Sequence, residues 1–163
     1  MKLNLKILVI PISFAILSCK QNEKTIETLH NNWEKIEINT RTEKLLISKF
    51  SDSAEYEQNP NDIAFKILPE DGKIAKEEIV KKKVYFTKSE KDSLAKYIYE
   101  SVTKPKFTNA LATDYAGCVT LRYDTGNMKL TCEYDSVGDW SLVSEQTKKI
   151  YDMISNKIKI SKN

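Results

Sequence analysis

Apolar residues in this chain fall first in one long run, Ile7 to Leu17, and then in shorter patterns whose period changes several times. From Thr25, the positions Ile26, Leu29 and Trp33 recur at i, i+3 and i+7, the spacing of a short helix that buries one face. Ile36 and Ile38 then alternate with Lys35, Glu37 and Asn39, and after Thr40-Arg41-Thr42-Glu43 the stretch Lys44 to Phe50 reads as the returning strand of a hairpin. Ser51 to Asp62 is polar and contains Asn59-Pro60-Asn61-Asp62, which predicts a loop. Ile63, Phe65 and Ile67 alternate as a further strand and stop at the turn signal Pro69-Glu70-Asp71-Gly72. Val80, Val84 and Phe86 predict inward positions around Lys81-Lys82-Lys83. Those lysines have two readings: a solvated edge strand protected from sheet-to-sheet pairing, or a patch for anionic head groups.

The second half carries stronger local signals. Thr87-Lys88-Ser89-Glu90 is a capping box, in which hydroxyl and carboxylate each satisfy the other residue's backbone N–H. The stripe Leu94, Tyr97, Ile98 and Val102 follows, and Lys104-Pro105 ends the helix. Gly117 to Tyr134 reads as a hairpin around Asp124-Thr125-Gly126-Asn127. Pairing Asp124 with Asn127 sets Tyr123 against Met128, Leu121 against Leu130 and Val119 against Cys132, which gives one apolar face. A three-residue loop would instead set Cys118 against Cys132 and scramble the faces. A last helix is expected from about Ser144 to Lys157, with Ile150, Tyr151, Met153, Ile154 and Ile158 on one side and lysines in its final turns. Together these elements predict an α+β fold: an antiparallel sheet of about five or six strands with two C-terminal-half helices packed on one face.

The leader changes the picture most. Lys2 and Lys6 precede the eleven-residue apolar run, which is too short for a spanning helix of roughly 20 residues and is interrupted by Pro11. Its end, Ile16-Leu17-Ser18-Cys19, resembles the lipobox of bacterial membrane lipoproteins. That resemblance implies cleavage before Cys19 and a diacylglyceryl thioether on its sulfur. Each buried methylene contributes about 0.8 kcal/mol of membrane affinity, so two or three chains make a lasting anchor. The implied organisation is a signal peptide at 1–18, a lipidated tether at 19–24 and one domain at 25–163. Lys20 stands where an Asp would resemble an inner-membrane retention signal, which favours the outer membrane, facing periplasm or cell surface. The polar tether Lys20 to Lys24 reaches at most about 15 to 18 Å, which keeps the domain close to the lipid.

Charge and composition narrow the partners. Of the 26 basic side chains, Lys2 and Lys6 leave with the leader, so 24 face 23 acidic ones, a net of +1. A dedicated nucleic-acid binder would carry a clear basic excess, so no nucleic-acid partner is expected. With 4 Gly and 4 Pro the chain is not a disordered stalk. His30, the single histidine, has no second histidine as co-ligand, and no phosphate loop, nucleophile elbow or metal quartet is present; neither a cofactor nor a metal is expected.

Two groups of side chains remain as candidates. Cys118 and Cys132 form a possible disulfide, because an exported chain meets an oxidising environment and a bridge across fifteen residues would contribute about 3 kcal/mol. The hairpin's apolar register opposes that pairing. Asp135, Asp139 and Trp140, in the loop before the last helix, and Tyr115 form a candidate recognition surface, since an aromatic at a sheet rim is a common anchor. The competing reading packs Trp140 into the core, with Asp139, Ser141 or Ser144 as a cap. Asp135 and Asp139 lack the ligand spacing of a calcium loop. The sequence therefore favours a non-enzymatic protein-binding lipoprotein, of inhibitor or immunity type. Binding of a small ligand, lipid or glycan between sheet and helices stands second, and a hydrolase third.

Overall fold

In the computed structural model, residues 30–58, 79–104 and 118–162 are described. The leader, Cys19, Tyr115, most of the helix expected from Thr25 and the strand expected at Ile63 to Ile67 lie outside them. Trp33 is inside, buried but not helical.

Alternating apolar positions build one antiparallel sheet. Its strands are β1 (Lys35–Asn39), β2 (Glu43–Ser48), β3 (Ala54–Gln58), β4 (Val80–Val84), β5 (Cys118–Asp124) and β6 (Lys129–Asp135), in the order β4-β3-β2-β1-β5-β6. β1 is thus central: β2 to β4 meander away on one side and the β5/β6 hairpin docks on the other. Helix α1 (Lys88–Thr103), a 3₁₀ turn (Trp140–Leu142) and helix α2 (Glu145–Ser155) follow, and the helices pack on the sheet. The fold is the expected α+β arrangement. None of the helices among the described residues is long and apolar enough to cross a membrane.

The inner face is made by every second residue. Ile36 lies between Ile47 and Tyr123, and Ile38 between Leu45 and Leu121. Leu94, Ala95 and Ile98 of α1 and Ile150 and Ile154 of α2 close over this face, joined by Trp33 and Trp140. Burial of each large side chain contributes about 1.5–3 kcal/mol. Both helices begin with a capping box: Thr87 with Glu90, and Ser144 with Thr147. No basic side chain stands in the last turn of α2, contrary to the expectation of helix-dipole lysines. Lys157, beyond the helix, instead reaches the Tyr85 carbonyl at 3.1 Å and Glu90 at 3.1 Å.

Two further expectations are corrected. The polar stretch after Ser51 is not all loop, because Ala54 and Tyr56 are inner-face residues of β3 while Glu55 and Glu57 point outward. The β5/β6 register is also neither of the two considered. A four-residue loop joins Asp124 to Lys129, so Tyr123 faces Leu130, Leu121 faces Cys132 and Val119 faces Tyr134. The loop holds because Asp124 Oδ1 accepts from the Gly126 N–H at 2.7 Å and Thr125 Oγ1 from the Met128 N–H at 3.1 Å. Gly126 has φ +84°, and a Cβ there would come within 2.6 Å of the Glu34 carboxylate.

After α2 the chain returns across the covered face. Ile158 and Ile160 are buried, Lys159 O accepts from the Tyr56 hydroxyl at 2.8 Å, and Ser161 O accepts from Trp140 Nε1 at 2.9 Å.

Candidate functional site

Strand alternation sends the other half of the side chains to a face that none of the described elements covers. Read across the strands, one row is Lys83, Glu55, Leu46, Glu37, Arg122, Thr131; the next is Lys81, Glu57, Lys44, Asn39, Thr120, Glu133. A third row sets Lys35 against Asp124 and Asp124 against Lys129. Every directly opposed pair of charges in these rows is of opposite sign, which is the favourable cross-strand arrangement. Arg122 Nη1 donates to Glu37 Oε1 at 3.0 Å, Lys81 lies 3.0 Å from Glu57, Lys44 3.6 Å from Glu37 and Lys129 3.8 Å from Asp124. The face carries six cations (Lys35, Lys44, Lys81, Lys83, Arg122, Lys129) and six anions (Glu37, Glu55, Glu57, Asp124, Glu133, Asp135).

Two shallow depressions adjoin at Leu46, the one aliphatic side chain among these rows. One, of about 500 Å³, lies over β2, β3 and β4 between Lys44, Glu55, Glu57, Lys81 and Lys83. The other, of about 200 Å³, lies over β1, β5 and β6 between Lys35, Glu37, Arg122 and Thr131. Exposed ion pairs contribute about 0–1 kcal/mol each, so this ladder adds little to stability. What it does offer is a patterned surface.

The described residues among those singled out from sequence, Asp135, Asp139 and Trp140, do not assemble into a surface. Trp140 is 0% exposed, its ring edge-on to Tyr151 at 5.6 Å and its N–H spent on Ser161. The core reading is the correct one, and Trp140 is withdrawn as a recognition anchor. Asp139 caps the 3₁₀ turn, accepting from the Ser141 N–H at 2.9 Å and pairing with Lys162 at 3.0 Å. Burial raises its pKa, but the donors of Ser141 and Lys162 outweigh this and hold the carboxyl below its usual range. Of the three described candidates, Asp135 alone reaches the open face. Glu37, Lys44, Leu46, Glu55 and Arg122 were missed. Their signal was an alternation of charge sign from strand to strand, readable only once the register is known.

Cys118 and Cys132 are free thiols and stand on opposite faces, since Cys132 opposes Leu121 inside while Cys118 opposes Asp135 outside. The disulfide is not formed, because fourteen positions along a hairpin in this register bring neither the backbones nor the faces together. Cys118, Glu133 and Asp135 do place one ligand atom each within 4.8 Å of one another. The Cys118 thiol donates to Glu133 Oε1 at 3.1 Å, and burial followed by its two acidic neighbours pushes it up to about 12. A thiol held that firmly protonated is a poor nucleophile.

A polar cluster around Glu43 is structural. Glu43, 4% exposed, accepts from the Ser161 N–H at 3.1 Å and from the Thr40 hydroxyl, with Ser161 Oγ 2.6 Å from the same carboxylate oxygen. Burial raises its pKa, yet these donors together hold it below the usual carboxylate range. The Tyr56 hydroxyl is pushed up to about 12 by burial and then by the Glu43 charge. Comparison with protein-family models, curated proteins and solved structures finds no match to this chain.

Proposed function

We propose that this chain is a lipid-anchored envelope protein whose domain binds a folded protein partner on the open face of its sheet. The observation that carries the reading is the balanced, sign-alternating charge ladder on that face. A surface with equal numbers of cations and anions does not concentrate a polyanion such as nucleic acid, whereas a protein surface bearing the complementary alternation meets it pair by pair. Leu46, where the two depressions adjoin, supplies the apolar centre around which such a polar surface is desolvated. The space between sheet and helices is filled by Trp33, Leu121, Ile150 and Trp140, which favours this reading over a small ligand held there. The anchor is Cys19, on the strength of Ile16-Leu17-Ser18-Cys19, and Lys20 after it favours the outer membrane.

The test uses the full chain, expressed with its leader and extracted in detergent. Metabolic labelling with a palmitate analogue is expected to mark the wild type and not Cys19→Ala. Envelope proteins retained at fixed stoichiometry by the wild type are expected to be lost from Arg122→Glu and Lys44→Glu, both of which still unfold cooperatively with stability within about 1 kcal/mol of the wild type. Retention indifferent to both reversals would overturn the open face as the binding site.

A further inference from the structure

The two edges of the sheet are built differently. β4 is five residues long and presents Lys81, Lys82 and Lys83 in succession. A second β4 laid against it antiparallel would oppose lysine to lysine, the arrangement by which natural edges resist pairing. β6 is seven residues long, Lys129-Leu130-Thr131-Cys132-Glu133-Tyr134-Asp135, and among the described residues no strand pairs with its outer edge. We propose that β6 receives β6 of a second copy of this chain, antiparallel across a two-fold axis at Cys132, so that the two sheets become one of twelve strands.

The sequence of β6 is complementary to its own reverse. With the axis at Cys132, Lys129 opposes the partner's Asp135, Leu130 opposes the partner's Tyr134 and Thr131 opposes the partner's Glu133. The rule that governs the open face, opposite charge against opposite charge, thus continues across the junction. The inner face continues as well, since Leu130, Cys132 and Tyr134 belong to the apolar layer. Moving the axis to Glu133 would set that carboxylate against the partner's Glu133. Moving it to Thr131 would use five residues of the strand in place of seven.

Backbone alternation fits the same axis. The Thr125 N–H donates to Met128 O at 3.0 Å, in register with β5/β6. Counting from that bonded pair, the even-numbered residues of β6 bond to β5, and Lys129, Thr131, Glu133 and Asp135 turn their N–H and C=O groups outward. Cys132 then opposes the partner's Cys132 as a non-hydrogen-bonded pair, with Cα atoms about 4.5 Å apart. That spacing lies within the range a disulfide spans. Glutathione disulfide can therefore trap the dimer: the two Cys132 thiols give up two electrons and two protons to form one S–S bond, and the oxidant is reduced to two thiols.

The test takes the full chain in detergent with Cys19→Ser and Cys118→Ser, leaving Cys132 as its single thiol. It is expected to sediment as a dimer and to become a disulfide-linked dimer when glutathione disulfide is added. Lys129→Asp or Asp135→Lys alone turns two attracting pairs into repelling ones and is expected to raise the dimer dissociation constant about tenfold or more. Combining Lys129→Asp with Asp135→Lys restores the complement and with it both the dimer and the trap. A monomer at every concentration, or a dimer and trap that persist equally in the single and double exchanges, would overturn the proposal.

Discussion

Replacing Glu43 by Gln removes a charge from a site that Thr40 and Ser161 surround with donors, and leaves an amide N–H₂ facing hydroxyls already in use. Hydrogen bonds to a charged group contribute about 1.5–3 kcal/mol, so the variant is expected to lose about 2–3 kcal/mol in urea unfolding at neutral pH. The sign with pH follows from the direction of the shift. The folded carboxyl is the stronger acid, so its contribution is whole above the unfolded value of about 4.3 and is lost as pH falls through the lower, folded value. The gap between wild type and Glu43→Gln should therefore narrow below about pH 4, and a gap constant with pH would contradict the assignment. Trp140→Ala is expected to cost about 3–5 kcal/mol, as a core truncation does, rather than to act on partner binding. Neither role was legible locally. Glu43 reads as a turn residue, and what buries and satisfies it is Ser161, 118 positions later. Trp140 reads as core or anchor from its loop alone, and the returning tail supplies the acceptor that holds it in the core.

At the level of elements, the local signals were legible and the pairings were not. Thr87 and Glu90 form the capping box their spacing announces, since every partner lies within four residues. Thr87→Ala is expected to cost about 1 kcal/mol, read by thermal unfolding, with the helix boundary otherwise unchanged. β3 is not legible in the apolar pattern because two inward residues, Ala54 and Tyr56, suffice for a strand whose outward neighbours are charged. The β5/β6 faces were read correctly although their register was off by two, because a shift of two positions preserves which side each residue faces. What fixes the register is the Asp124 and Thr125 side chains folding back on Gly126 and Met128, a choice of loop length that alternation alone does not encode.

For the whole molecule, the α+β class followed from the order of periods along the chain, whereas the open face did not, because it exists only when six strands are placed side by side. Arg122→Glu replaces the guanidinium that pairs with Glu37 by a second carboxylate, and is expected to cost about 1 kcal/mol in unfolding while abolishing partner retention. β1 is flanked by β2 through a tight turn and by β5 through no turn at all; all of α1 lies between them in the chain. The sheet is consequently two meanders meeting at one seam, Lys35 to Asn39 against Thr120 to Asp124. A polypeptide severed between Lys104 and Cys118 loses no strand and no helix described above. Its pieces, coexpressed as residues 1–104 and 105–163, are expected to reassemble and copurify through that seam. Leu121→Asp should weaken that reunion, which reports on the β1/β5 junction together with the packing of α1 on β5, β6 and α2 and the Glu43–Ser161 contacts that also join the two pieces.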